Sequence, residues 1–262
     1  MASTDPHLPV LIPQCPWPVG VRALCTLRTG GVSASPYDSL NLGQHVQDDP
    51  ACVQINRQRL ADACGVRPVF LEQVHGTDCI GIDTRTPDGT QADACWTSQP
   101  DVACTILVAD CLPVLLCDVQ GRAVAAAHAG WRGLGEGVLE NTLDVLCQQA
   151  HCSPDEVMAW LGPCIGPDAF EVGEDVRRAW GVSLHETSPW FKPAPQSGKW
   201  FTDLAGAARQ RLRHAGVSQL HGNDSTAAWC TVTQSSQFFS HRRDGRSGRF
   251  AACIWRESRL SA

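Results

Sequence analysis

The chain has 262 residues, a formal net charge of −6 and 43% hydrophobic residues. This length allows one large domain or two small ones with a sizeable buried core, and the composition excludes disorder over most of the chain. Because the chain is acidic, we do not expect it to bind nucleic acid.

The most unusual number in the composition is the count of 14 cysteines. The first residues lack the basic region and apolar run of a secretory signal, so we expect a cytoplasmic protein with mostly reduced thiols. The longest mainly apolar stretch, 102–119, contains two aspartates and a proline, which suits buried strands better than a membrane span. We therefore expect no membrane association, a monomer or weak oligomer, and cysteines that are mostly buried small hydrophobic residues.

Hydrophobic periodicity and turn residues predict the elements in chain order. An irregular, Pro-rich N-terminal arm over residues 1–20 precedes a strand at 21–28. Asp49-Pro50 is a favourable start for a helix, and Gly65 can end it. Further strands are predicted at 69–74, 79–83, 102–108, 114–118, 123–127, 157–161 and 250–255. Further helices are predicted after the glycine-rich stretch 130–137, at 174–180 and at 203–215.

Strands interleaved with helices, without regular βαβ spacing, favour an α+β fold. We predict mixed β-sheets with helices packed outside, in a single domain that covers residues 1–262. No repeat and no interdomain linker is visible in the sequence.

Polar residues that could act chemically lie where apolar runs end, a position at which a scaffold presents side chains to ligands. His75, Cys111 and His128 are a plausible metal set, because thiolate and imidazole suit zinc and three protein ligands leave a fourth position open. Their wide spacing is less specific than a compact metal motif. From the residues alone, core histidines and a buried thiol are the more common outcome.

Cys111 also fits a different chemistry. It could be a nucleophile with His128 as its base and Asp110 as the group that orients the base. Both roles require a thiolate near an imidazole, so the residues alone do not separate a metal ligand from a nucleophile.

Three arginines are candidates for binding an anion. Arg132 lies at a predicted helix start, where the helix N-terminus and a guanidinium can hold phosphate, although a surface ion pair explains it equally well. Arg28 and Arg242 precede turns and could also face an anion, with a solvated surface position favoured for both. Cys164 lies in a loop rich in glycine and proline. We expect these residues to shape the backbone there, and we do not expect Cys164 to be catalytic.

Short motifs from Arg28 to Arg249 resemble the YfiH family, also called laccase-domain or multicopper polyphenol oxidase proteins. Each motif is short, but together, in this order, they are specific. They are Arg28-Thr29-Gly30-Gly31-Val32-Ser33, Asn41-Leu42-Gly43 leading to His45-Val46 and Asp48-Asp49, Gln73-Val74-His75-Gly76, Ala109-Asp110-Cys111-Leu112-Pro113, Ala127-His128-Ala129-Gly130-Trp131-Arg132-Gly133, Gly162-Pro163-Cys164-Ile165-Gly166, Phe170-Glu171-Val172-Gly173 and Phe238-Phe239-Ser240-His241-Arg242-Arg243-Asp244-Gly245.

The resemblance implies that His75, Cys111 and His128 bind a metal, zinc in most family members, with copper as another occupant. It also implies phosphorolysis of adenosine, inosine and methylthioadenosine and deamination of adenosine, with nucleosides and phosphate as ligands. A zinc site can activate water for attack on the amino-bearing purine carbon, as in other zinc deaminases.

The same resemblance suggests roles for the other candidate residues. Asp110 would move a proton beside Cys111. Asn41 and Gln73 would hydrogen-bond ribose or base. Phosphate would be bound by arginines, which are Arg132, Arg28 and Arg242.

One position departs from the family pattern, since His241 stands where the family usually has tyrosine, which would change the polarity and pH response there. Other functions stay open. A cysteine hydrolase would use Cys111 and His128 to edit cell-wall peptide precursors, and a non-catalytic protein would only sense nucleosides. A copper-loaded polyphenol oxidase is less favoured, because the chain has only 9 histidines and no His-x-His pair.

Overall fold

The structure is a computed structural model that describes residues 8–183 and 186–258. Its strands are β1 (Val10–Leu11), β2 (Val21–Thr26), β3 (Arg67–Phe70), β4 (Cys79–Gly81), β5 (Ala94–Thr97), β6 (Val102–Val108), β7 (Leu112–Asp118), β8 (Val124–Ala129), β9 (Val157–Leu161), β10 (Glu171–Val172), β11 (Phe191–Pro193), β12 (Trp200–Thr202), β13 (Gln219–Gly222) and β14 (Phe250–Arg256). Its α-helices are α1 (Pro50–Cys64), α2 (Trp131–Glu136), α3 (Val138–Ala150), α4 (Glu174–Ala179), α5 (Leu204–His214) and α6 (His241–Asp244).

Two mixed sheets form the body of the fold. The first has the strand order β1-β2-β14-β6-β3, and only its β3–β6 pair is parallel. The second has the order β13-β9-β7-β8-β5-β4, with parallel pairs only at its two ends. A small sheet, β10-β12-β11, is not hydrogen-bonded to either of them among the described residues. Mixed sheets combined with helices in one domain confirm the predicted α+β fold class.

The core consists of three layers that follow the alternation of side chains along the strands. On β7, Leu115 packs in the cluster between the two large sheets, whereas Val114 and Leu116 pack on the outer face with α3 and α5. A third cluster packs Leu60 of α1 against the outer face of the first sheet. Every residue of β6 and β7 is buried, which explains their continuous apolar runs.

Helix α1 begins and ends as the sequence predicts. The side chain of Asp49 accepts a hydrogen bond from the backbone N–H of Ala51 at 2.9 Å, and Pro50 opens the first turn. Gly65 ends the helix with φ = +67°, a conformation that favours glycine.

Several elements differ from the prediction. The strand expected at 69–74 covers Arg67–Phe70 instead, followed by an isolated bridge between Glu72 and Gln91, and the N–H of Val74 bonds to the Asp93 carboxylate and not to a strand. The expected strand at 79–83 ends at residue 81. Strand β5, the β11–β12 hairpin and β13 were not predicted.

The N-terminal arm is regular only where Val10 and Leu11 pair with β2, and residues 1–7 of the predicted arm lie outside the described part. All 14 cysteines lie within the described residues and none is in a disulfide. No helix among the residues described has the length and apolar character needed to cross a membrane.

Candidate metal centre

The structure brings His75, Cys111 and His128 together. Their candidate ligand atoms all lie within 4.8 Å of one another, and Sγ of Cys111 is 3.7 Å from Nε2 of His75. His128 is buried, and the other two side chains are half-buried. The three predicted ligands therefore form one cluster, although distant segments supply them.

Strand register explains how Cys111 and His128 meet. In the antiparallel pair β7–β8, Leu112 lies opposite Ala129, so the residue just before β7 lies beside the end of β8. Gly130 then makes room for the third ligand. A Cβ at this position would lie 2.7 Å from Cδ2 of His75 and 3.1 Å from Sγ of Cys111.

Asp93 connects two of the three ligands. Its fully buried carboxylate lies 2.8 Å from Nδ1 of His128 and accepts the backbone N–H of His75 at 2.9 Å. The same carboxylate binds the N–H groups of Val74 and Gly76, which fixes the loop where His75 has φ = +63°. Since a carboxylate accepts hydrogen bonds, Nδ1 of His128 carries a proton, and loss of the second ring proton on metal binding would free Nε2 for the metal.

Asp93 is not among the site residues predicted from the sequence. Its only local signal is its place as a charged residue directly before the apolar strand β5. The nucleophile hypothesis for Cys111 also gave Asp110 the role of orienting His128. That expectation is wrong, because Asp93 makes this contact while the Asp110 carboxylate accepts from the Thr231 hydroxyl and the backbone N–H of Arg242.

The electrostatics of the cluster favour a thiolate. Burial alone would raise the pKa of Cys111, but the charge of His128 and hydrogen bonds from His128 and His75 outweigh it and lower the pKa to about 6. Burial opposes the charged form of His128, but Cys111 and Asp93 raise its pKa to about 9. Burial likewise opposes ionisation of Asp93, yet its bonds to His128 and to the backbone hold its pKa below the usual value.

The donor set fits a metal ion of the zinc type. One thiolate and two imidazole nitrogens are common catalytic zinc ligands, and three protein donors leave a further position open. Copper accepts the same atoms. No methionine among the described residues lines the adjoining cavity, so the axial ligand common in blue-copper sites has no counterpart there.

The cluster lies in the wall of a cavity of about 400 Å³. This size lies within the range of small-molecule sites in proteins. Apolar side chains form much of the wall; they are Leu107, Val108, Ala109, Trp131, Ile165, Phe170 and Leu204. The polar lining outside the cluster consists of His45, Gln73, Asp110, His241, Arg242 and Arg249.

Three of the other predicted site residues lie at this cavity. Asp110 has both carboxylate oxygens hydrogen-bonded, at 2.5 Å to Oγ1 of Thr231 and at 2.7 Å to the backbone nitrogen of Arg242. Gln73 exchanges two hydrogen bonds of 2.8 Å with the backbone of Leu107, so its amide shapes the wall. Arg242 donates to the carbonyl of Glu171.

The structure does not place Asn41, Arg28 or Arg132 at the cavity. Asn41 is fully buried and its amide bonds to neighbouring loops, which corrects the expectation that it contacts ribose or base. Arg28 donates to the carbonyl of Asp38 and to a second backbone carbonyl, and Arg132 lies over the ring of Trp131 on the exposed side. Neither expectation of phosphate binding is supported by these positions.

Three cavity residues are informative for other reasons. His241, at the position that departs from the family pattern, lines the cavity and is exposed. His45 and Arg249 also line it, although neither is among the site residues predicted from the sequence. Their only signal was their place within or at the end of the matching motifs.

Comparison with known proteins agrees with this architecture. Residues 22–257 match the family model described as multi-copper polyphenol oxidoreductase laccase. Among curated relatives, a purine nucleoside phosphorylase of Pseudomonas aeruginosa is 48% identical, covering 94% of this chain and 97% of the relative. The purine nucleoside phosphorylase YfiH of Escherichia coli is 46% identical, covering 94% and 98%.

A solved structure supports the same assignment. The Neisseria meningitidis protein NMB0706 is 43% identical, with a TM-score of 0.87 over 95% of this chain and 99% of that chain. The family match and these relatives cover nearly the whole chain, including the segments that carry the His-Cys-His cluster. The chain therefore belongs to the YfiH family of multicopper polyphenol oxidoreductase (laccase) domain proteins.

Proposed function

We propose that this protein is a zinc-dependent purine nucleoside phosphorylase that acts on adenosine, inosine and methylthioadenosine and also deaminates adenosine. The observation that carries the proposal is the meeting of His75, Cys111 and His128 in the wall of a ligand-sized cavity. The names of the relatives from Pseudomonas and Escherichia supply the reaction class.

His75, Cys111 and His128 would hold the zinc ion through two nitrogens and a thiolate. Zinc bound there would supply a Lewis acid that polarises a ligand in the cavity. The protein's own contribution begins with Asp93, which keeps His128 in the tautomer that leaves Nε2 free.

Asp110 is the group we assign to proton movement, because its carboxylate lines the cavity and is held in one orientation by Thr231 and the backbone of Arg242. The cavity wall, which includes Phe170 and Trp131, offers apolar surface on which a purine can pack.

Product analysis of the purified protein tests the proposal. With adenosine and phosphate, we expect adenine and ribose 1-phosphate together with inosine and hypoxanthine from deamination; without phosphate, we expect only inosine. Metal analysis should give about one zinc per chain. Cys111→Ala should lose both zinc and phosphorolysis, whereas Cys147→Ser, on α3 away from the cavity, should keep both. Retention of both by Cys111→Ala would contradict the metal assignment.

A cysteine hydrolase acting on cell-wall peptide precursors is the second candidate. The observation in its favour is the series Cys111, His128 and Asp93, in which the pKa of the thiol is lowered and the imidazole is oriented by a carboxylate. This function predicts a covalent acyl adduct on Cys111 and hydrolysis that survives a chelator. Complete inhibition by the chelator would exclude it.

The description of the matching family favours a third candidate, the oxidation of phenols by dioxygen with the copper-loaded protein as catalyst. The same three donors would then hold copper. Copper-reconstituted protein should oxidise a phenol at a rate proportional to its copper content. Equal rates in the zinc-loaded and copper-loaded forms would rule out this activity.

A further inference from the structure

We propose that Arg249, with His45 in the same cavity lining, forms the binding subsite for inorganic phosphate in this cavity. The inference rests on the proposed phosphorolysis and names the residues that hold its second substrate. It moves the anion-binding role away from Arg28 and Arg132, which lie outside the cavity.

The guanidinium of Arg249 uses only one of its three nitrogens in hydrogen bonds to the described part of the protein. Nη1 donates to the carbonyls of Ser247 at 2.9 Å and Gly248 at 3.1 Å. Among the described residues, no acceptor is hydrogen-bonded to Nε or Nη2, and the side chain is half-buried in the cavity wall. The N–H groups on Nε and Nη2 are therefore free to donate, and their spacing matches that of two oxygens of one phosphate.

The motif Asn41-Leu42-Gly43 contacts this arginine and fixes the position of its backbone and side chain. Oδ1 of Asn41 accepts the backbone N–H of Arg249 at 2.9 Å, and the N–H of Leu42 donates to the Arg249 carbonyl at 3.0 Å. A Cβ on Gly43 would lie 2.8 Å from Cγ of Arg249 and 3.2 Å from its Cβ, so the arginine side chain passes where only glycine leaves room. The side chain is thus oriented before any ligand arrives.

The cavity lining holds two guanidinium groups that an anion can contact. They belong to Arg242 and Arg249, in a chain with a net charge of −6, and His45 and His241 add imidazole N–H donors. The negative groups of the lining are Asp110 and the thiolate of Cys111. His45 is close enough to Arg249 that the arginine charge, after burial, lowers the pKa of this histidine; a neutral imidazole still donates one hydrogen bond.

The reaction defines what the subsite must do. An oxygen of hydrogen phosphate forms a bond to C1′ of the ribose while the bond from C1′ to the purine nitrogen breaks. The electron pair of that bond leaves with the purine, and the proton of hydrogen phosphate ends on the purine. Arg249 would hold the phosphate during this transfer without exchanging a proton.

The test compares Arg249→Gln with Gly43→Ala in the zinc-loaded protein. For Arg249→Gln we expect the KM for phosphate to rise by about 10- to 100-fold, as for loss of hydrogen bonds to a charged group, with the nucleoside KM unchanged. Gly43 has φ = −87° and ψ = 120°, which alanine adopts freely, so Gly43→Ala displaces Arg249 without removing a charge and should shift the same constant.

Two further measurements distinguish a binding role from a structural one. Zinc content should be unchanged in both variants. Arg213→Gln, an exposed residue of α5 outside the cavity, should behave as the wild type in every assay. An unchanged phosphate KM in Arg249→Gln would overturn the proposal while leaving the phosphorylase function intact.

Calorimetric titration of inorganic phosphate into the wild type and the variants measures phosphate binding directly, without enzyme turnover. If the wild type shows no phosphorolysis, the proposed function fails, and weaker phosphate binding by Arg249→Gln still supports the subsite. Equal binding by the variants and the wild type overturns it. A parallel titration with adenosine 5′-monophosphate identifies the source of the anion: if the variants weaken only this ligand, the subsite serves a nucleotide and the proposal is wrong.

Discussion

The carboxylate of Asp93 lies 2.8 Å from Nδ1 of His128 and at the same time accepts the backbone N–H of His75. One buried acid therefore orients two of the three candidate metal ligands. A change at Asp93 affects the ring of one ligand and the loop that carries the other, so the two are coupled through a single side chain.

We expect Asp93→Asn to lower zinc affinity by about 10- to 100-fold, the usual cost of losing a hydrogen bond to a ligand imidazole. An amide cannot accept from His128 and from three backbone N–H groups as a carboxylate does. Competition with a chromophoric chelator measures the affinity. Asp155→Asn, at an exposed position away from the cavity, is the matched control. Wild-type affinity in Asp93→Asn would contradict the assigned role.

Gly130→Ala should weaken metal binding with little effect on the fold. The backbone at Gly130, with φ = −70° and ψ = 163°, suits any residue, whereas an added Cβ would press against His75 and Cys111. We expect a loss of zinc and of phosphorolysis, with the free energy of unfolding of the metal-free protein changed by only about 1 kcal/mol. Full zinc binding by the variant would show that the ligands do not need this close approach.

Alkylation of the metal-free protein should single out Cys111. Its pKa is lowered to about 6, so the thiolate is present above that pH and is lost as the pH falls through 6. Burial raises the pKa of Cys147 to about 12, so it should react little at neutral pH. Reaction with iodoacetamide, followed by peptide mass spectrometry from pH 5 to 9, gives the midpoint. A midpoint near that of an ordinary thiol would refute this assignment, and added zinc should protect Cys111.

Leu115→Ala should destabilise the protein without a direct effect on the site. Leu115 is fully buried between the two large sheets, and truncation of such a residue costs about 2–5 kcal/mol. Denaturant unfolding measures the change. Ile55→Ala, on the exposed face of α1, should change stability by less than about 0.5 kcal/mol. Similar losses for the two variants would contradict the layer arrangement described above.

The sequence by itself determined features that depend on neighbouring residues. Continuous apolar runs predicted strands β6 and β7, and Asp49-Pro50 with Gly65 predicted both ends of α1. These signals are local because strand alternation and helix capping involve residues only a few positions apart. Short elements such as β13 were missed, since their pairing partners lie far away in the chain.

For the candidate site, too, local sequence and tertiary structure supplied different information. The family motifs selected Cys111 from 14 cysteines, and the tertiary structure placed it beside His75 and His128. Only that structure assigned the orienting role to Asp93 instead of Asp110 and brought Arg249 into the cavity. The physical reason is that strand register and sheet packing fix distances between residues remote in sequence, whereas the pattern of neighbouring residues carries no information about those distances.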